Sequence, residues 1–136
     1  MAKCAELTGG AQRVLDLTTE YVKQREQSGR PIGGFQAIQH YCADMIRDVE
    51  GSRCITHKAA WEISRELPFF YSSDVAKAWV SDAYQRVALT AHQVFGGIGF
   101  CQEHPLHLYL KQSKLGELSF GDASYHREQV VGWLGI

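Results

Sequence analysis

Residues 35–67, FQAIQHYCADMIRDVEGSRCITHKAAWEISREL, decide the fold. The run contains no proline, and Phe35, Ile38, Tyr41, Cys42, Met45, Ile46, Val49, Ile55, Ala59, Ala60 and Ile63 trace an apolar stripe at helical spacing. It reads as one long helix from Phe35 to about Leu67, with Gly51 tolerated at a cost of about 1 kcal/mol. At about 1.5 Å per residue such a helix is about 50 Å long, more than a compact domain of this size spans. It is therefore expected to run along a bundle or to extend into a partner subunit.

The flanking sequence supplies the rest of the bundle. From about Ala5 to Gln27, Leu7, Ala11, Val14, Leu15, Tyr21 and Val22 recur with helical periodicity, which defines a first helix. Ser28-Gly29-Arg30-Pro31-Ile32-Gly33-Gly34 then reads as a connecting loop, because glycine ends helices and proline bars helical geometry at the residue before it. Downstream, Ser72-Ser73-Asp74 offers capping side chains to a third helix, Val75 to Phe95, with Ala76, Trp79, Val80, Ala83, Val87 and Ala91 on one face. Gly96-Gly97-Ile98-Gly99-Phe100 stops it, and a fourth helix runs from about Pro105 to Leu118. Gly121 breaks the pattern again, and Asp122 can cap a last helix carrying Tyr125, Val130, Val131 and Leu134. No segment sustains period-two alternation. The expectation is an all-α, up-and-down helical bundle of four main helices plus a short C-terminal helix, one domain over residues 1–136.

Composition narrows the function. Hydrophobic residues make up 45% of the chain and charged residues 21%, too apolar a balance for a disordered segment. Lys and Arg (14) nearly match Asp and Glu (15), leaving a net charge of −1 and no electrostatic basis for binding nucleic acid or an anionic membrane. No apolar run approaches the roughly 20 residues that cross a bilayer, and Met1 to Glu6 lacks the apolar stretch of a signal peptide, so the chain reads as cytoplasmic. Cys4, Cys42, Cys54 and Cys101 are too widely spaced for a zinc pattern or a disulfide framework and read as buried or half-buried free thiols.

His104-Pro105-Leu106-His107 sets two imidazoles three residues apart, but no cysteine or suitably spaced carboxylate completes a metal site. Nucleophile-elbow, phosphate-loop and helical metalloprotease signatures are all missing. Gly96-Gly97-Ile98-Gly99 follows a helix instead of a strand, the wrong setting for a dinucleotide-binding Rossmann turn. Its backbone, lacking Cβ atoms, allows close approach of either a ligand phosphate or a neighbouring helix. Arg25 closes the first helix and Arg30 sits in the loop after it. A guanidinium beside a glycine-rich loop suits a diphosphate, because its planar donors pair with phosphate oxygens two at a time.

Three blocks carry a wider likeness: Arg25-Glu26-Gln27-Ser28-Gly29-Arg30-Pro31-Ile32 with Phe35-Gln36-Ala37-Ile38-Gln39, then Gln93 through Phe100, then Gly121 with Arg127. In order and spacing the chain resembles the carboxy-terminal domain of the acyl-CoA dehydrogenases over essentially its whole length. The resemblance implies a bundle that assembles as a homo-oligomer, dimer or tetramer, and helps hold FAD between subunits. It assigns Arg25, Gln36, Gln93, Val94, Phe95, Gly96 and Gly97 to the diphosphate and adenosine end of a neighbouring subunit's flavin. It also implies a part in the α,β-dehydrogenation of acyl-CoA, with the acyl-CoA reached only through domains outside these residues and FAD not retained by the chain alone.

Departures from the family pattern bear on mechanism. Family members usually abstract the substrate's α-proton with a Glu just before the glycine matching Gly121; here that position is Phe120, which cannot take a proton. Asp122 stands where a flavin-touching Thr is common. It is the remaining candidate for a displaced base, with helix capping as its competing role. A second family solution would place the base upstream of residue 1. Ser28 replaces a common aromatic on the flavin side. The alternatives are therefore a non-catalytic helical oligomerisation module, an inactive partner of a catalytic acyl-CoA dehydrogenase subunit, and an autonomous enzyme using Asp122 and His126.

Overall fold

Every other helix of the chain packs against a single one, the helix Phe70–Phe95. In the computed structural model, which describes all of residues 1–136, the order is α1 (Ala2–Gln24), a short hairpin β1 (Glu26–Gln27) and β2 (Arg30–Pro31), α2 (Gln36–Ser64), α3 (Phe70–Phe95), α4 (Leu106–Leu118) and α5 (Ala123–Leu134). Short 3-10 turns at Ile32–Gly34 and Gly96–Phe100 lead into α2 and out of α3. The all-α up-and-down bundle expected from the periodicity is the architecture found.

Its core joins Leu7, Ala11, Val14 and Leu15 of α1, Met45 and Val49 of α2, Val80, Tyr84, Val87, Ala91 and Phe95 of α3, and Leu106 of α4. Two charged side chains are buried within this apolar packing. Asp48 of α2 takes two hydrogen bonds from Arg86 of α3, through Nε at 2.8 Å and Nη2 at 3.1 Å. That two-point pair holds the Arg86 guanidinium pKa above its ordinary value. Lys77 of α3 donates from Nζ to Ser81 Oγ at 3.0 Å and to the carbonyl oxygens of Glu117 and Gly121, both at 2.8 Å. Its three N–H donors are matched by three acceptors, which is what makes burying an ammonium tolerable.

Several boundaries differ from the expectation, each for a local reason. The first helix ends at Gln24, not Gln27, and the stretch read as irregular loop contains a hairpin. With only two residues per strand it is too short to show period two. α2 ends at Ser64 because the chain closes in a Schellman arrangement, Leu67 N to Glu62 O at 3.0 Å and Glu66 N to Ile63 O at 3.1 Å, with Glu66 at φ +55. At about 1.5 Å per residue its 29 residues span about 44 Å, so it is shorter than expected. Tyr41, Ile46 and Ile63 of the expected stripe are exposed.

α3 starts at Phe70, five residues early, so Ser72, Ser73 and Asp74 lie inside its first turns and cap nothing. Asp74 instead ties down α5: its carboxylate meets His126 Nδ1 at 2.8 Å and accepts from Trp133 Nε1 at 2.9 Å. Gly51 has a packing reason, since a Cβ there would fall 3.1 Å from Trp79 Cζ2. All four cysteines are free, but Cys54 and Cys101 are exposed where half-burial was expected. No helix is long and apolar enough to cross a membrane.

Two substitutions test this packing, with urea unfolding followed by far-UV circular dichroism as the measurement. Glu66→Gly removes a side chain from a left-handed position and is expected to raise stability by up to about 1 kcal/mol. Gly116→Ala places a Cβ 2.1 Å from Leu7 Cδ2 where α4 crosses α1, and is expected to lower stability by about 1–3 kcal/mol.

Candidate functional site

The end of α1 is where the chain first exposes chemistry. Arg25 turns extended (φ −75, ψ 122), and Ser28 (φ +52) and Gly29 (φ +75) then take consecutive left-handed conformations, the signature of a two-residue type I′ hairpin. Gln27 pairs with Arg30 and Glu26 with Pro31, and Ile32 N donates to Arg25 O at 2.8 Å. Cross-strand partners share a face and alternate residues along a strand share a face, so Arg25, Gln27, Arg30 and Ile32 lie on one side of the ribbon. Ile32 is buried against Val22 and Val94, which anchors that side to the bundle.

The end of α3 arrives at the same place. Phe95 stacks on Tyr21 of α1, with ring centroids 4.1 Å apart and planes 18° apart. Immediately after it, Gly96 adopts φ +61, ψ −140, a backbone that side chains rarely permit. The two readings of the glycine run divide between its members. Gly99 faces inward, where a Cβ would press on Leu106 Cδ2 and Phe95 Cβ, both at 3.2 Å, whereas nothing lies within 4 Å of a Cβ built on Gly96 or Gly97. Gly99 therefore serves helix packing, and Gly96–Gly97 is bare backbone facing outward.

Between these elements lies an open depression of about 340 Å³, lined by Arg25, Gln27, Phe35, Val94, Phe95 and Gly96 among others. Four of the seven residues assigned from the sequence, Arg25, Val94, Phe95 and Gly96, share it. Gln36, Gln93 and Gly97 are exposed and adjacent in sequence to lining residues, without lining it themselves. Val94 and Phe95 are only 8% and 5% exposed, so they contribute wall and backbone instead of reactive side chains. Arg25 is exposed and engages no carboxylate. A free guanidinium beside Cβ-free backbone fits an anionic group such as a diphosphate.

A histidine cluster supports the glycine turn. His92 packs its ring 5.0 Å from that of Phe100, and His104 lies 4.7 Å from Phe95. His104 Nδ1 accepts from Leu106 N at 3.3 Å, and His107 Nδ1 lies 2.8 Å from His104 O. Desolvation, then the neighbouring imidazoles of His92 and His107, push the His104 pKa below its ordinary value. No metal-ligating cluster forms here or elsewhere in the chain.

Phe120, which the resemblance aligns with the usual base, lies beside Lys77, about 30 Å away along α3 at about 1.5 Å per residue. Phe120 is 81% exposed, at φ +63, and Gly121 follows at φ +95, where a Cβ would fall 2.5 Å from Tyr125 Cδ1. Asp122 Oδ1 accepts from Tyr125 N at 2.8 Å, so the candidate displaced base is engaged as the cap of α5. His126 is occupied on both ring nitrogens, Nδ1 by Asp74 and Nε2 by the Phe120 carbonyl oxygen at 3.0 Å. In the sequence Lys77 has no assigned role and Asp74 reads as a helix cap, whereas both fasten this turn. The one signal for Lys77 was a charge within the most apolar helix of the chain.

The family model described as acyl-CoA dehydrogenase, C-terminal domain, matches residues 1–135. Acyl-CoA dehydrogenase FadE27 of Mycobacterium tuberculosis is 39% identical over 132 residues, covering 91% of this chain and 35% of that protein. Butyryl-CoA dehydrogenase of Megasphaera elsdenii superposes with a TM-score of 0.95 at 32% identity, over 98% of this chain and 35% of its own. A chain of the ChsE4-ChsE5 complex from Mycobacterium tuberculosis gives a TM-score of 0.93 at 35% identity, over 98% of this chain and 36% of its own. The chain spans about a third of the length of the relatives it matches.

Histidine protonation gives the glycine turn a pH dependence. The folded-state value of His104 lies below its unfolded value of about 6.5, so its contribution to stability is present in full above that pH and is lost as the pH falls below it. Thermal unfolding of the native chain is expected to drop more between pH 7 and pH 5 than that of a His104→Gln variant, to be read as the difference in Tm at each pH.

Proposed function

This chain belongs to the acyl-CoA dehydrogenase family as a C-terminal helical domain, and from that membership we propose that it supplies one wall of an FAD site shared between subunits of an acyl-CoA-oxidising enzyme. The observation that carries the reading is that unpaired Arg25 and the outward backbone of Gly96 line one depression. The flavin, when bound, supplies the hydride acceptor for α,β-dehydrogenation. What this chain's residues contribute is binding and orientation. Arg25 meets the diphosphate charge, the Gly96–Gly97 backbone lets it approach closely, and Gln36 and Gln93 offer amide groups at the rim of the depression. Exposed apolar side chains of α2, among them Tyr41, Ile46 and Ile63, are the ones we assign to assembly.

Proton abstraction is not assigned to these residues. Phe120 has no basic atom, Asp122 is committed to its cap, and both nitrogens of His126 are engaged. The base of the intact enzyme then comes from outside residues 1–136, either from another part of the polypeptide or from a partner subunit. In the alternative arrangement this subunit completes the flavin site of a catalytic partner. A free-standing oligomerisation module draws less support, because the relatives that match nearly the whole chain are named as acyl-CoA dehydrogenases.

The test is flavin retention after joining this chain to the remaining segment of a full-length relative, or mixing it with that segment. A yellow, reducible protein is expected, and Arg25→Gln should weaken flavin binding about tenfold or more, as loss of a charged hydrogen bond does. Colourless protein in every combination would overturn the proposal.

A further inference from the structure

We propose that Arg30 is a second anion-binding guanidinium of this site, held flat by Phe35 so that its in-plane donors meet the diphosphate of a dinucleotide together with Arg25. The inference rests on the flavin reading above and extends it to a residue that reading leaves out. Three features carry it. First, the hairpin register pairs Arg30 with Gln27 and so puts Arg30 on the ribbon face of Arg25, Gln27 and Ile32, which line the depression, while Arg30 itself lies outside that lining. Second, the Arg30 guanidinium carbon sits 4.2 Å from the ring centroid of Phe35, itself a lining residue. Third, Arg30 donates to no carboxylate and to no other side chain.

Stacking occupies the face of a guanidinium and leaves its edge free. All five N–H donors lie in the plane, so an arginine stacked on a phenyl ring keeps its anion-binding capacity while losing much of its conformational freedom. A diphosphate is a dianion, and Arg25 alone balances half of it. Ser28, exposed at the hairpin tip with φ +52, brings no aromatic surface to the site. The Arg30 guanidinium, seated over the Phe35 ring, supplies a second cation on the same ribbon.

The experiment is an NMR titration of the isotopically labelled 136-residue chain, following the Nε–Hε signals of Arg25 and Arg30 and the amides of Gly96 and Gly97. The probes are FAD, ADP and adenosine, each taken to about 10 mM so that even a millimolar complex is seen. The expected result is that both arginine signals and both glycine amides move with FAD and ADP and stay still with adenosine. Arg30→Gln should then weaken ADP binding about tenfold, with Arg30→Lys and Phe35→Leu intermediate and unchanged circular dichroism for all three. If Arg25 and the glycines move while Arg30 does not, or if Arg30→Gln binds as the native chain does, the inference fails and the flavin site stands. Equal shifts with adenosine would overturn the diphosphate assignment. No shift with any probe would overturn the site and the inference together.

Discussion

Tyr21 and Phe95 stack ring on ring at 4.1 Å, and that contact sets two helix ends level with each other. From one end the chain leaves α1 as a tight hairpin carrying Arg25; from the other it leaves α3 through a glycine whose backbone no side chain would readily adopt. Neither element is a site alone. A hairpin with exposed arginines is an ordinary solvated surface, and a glycine turn after a helix is an ordinary stop. The aromatic pair makes them one concave surface with positive charge on one side and bare backbone on the other.

The opposite end of α3 is built on a different principle. Lys77 and Asp74, buried or half-buried, make hydrogen bonds to Glu117 O, Gly121 O, His126 and Trp133, so the turn from α4 into α5 is fastened by polar groups within an apolar bundle. Removing one member would leave its partners desolvated and unpaired, which costs more than the bond itself contributes. Here the fastened turn carries Phe120, which has no basic atom.

Much of this was legible in the sequence, because helix period and breaker residues act locally. The glycine stop after Phe95 and the Asp122 cap depend on neighbours within a few positions, and the structure has them where they were expected; of the α2 stripe, Met45, Val49 and Ala59 are buried while Tyr41, Ile46 and Ile63 are exposed. The early start of α3 was not legible: Ser72, Ser73 and Asp74 are good caps by type, and only the distant side chains of α5 draw Asp74 into the helix instead. Similarly, Glu66 gives no hint of a helix end, since its left-handed conformation is imposed by closure of the α2–α3 connection. The family resemblance picked out the glycine run, but which glycine faces a neighbouring helix and which faces outward became visible only with Leu106 in place. The Arg30–Phe35 stack likewise depends on a hairpin too short to show a period.

The central claim is that the Arg25 and Gly96 surface is one half of a flavin site whose other half belongs to another subunit. The most direct measurement is flavin fluorescence of the assembled flavoprotein on serial dilution, with light scattering recorded on the same samples. The account predicts that flavin is released as the oligomer dissociates, the two curves sharing a midpoint. Flavin that stays bound to a dissociated subunit at about micromolar concentration, far below the millimolar range in which a half-site alone binds, would contradict it.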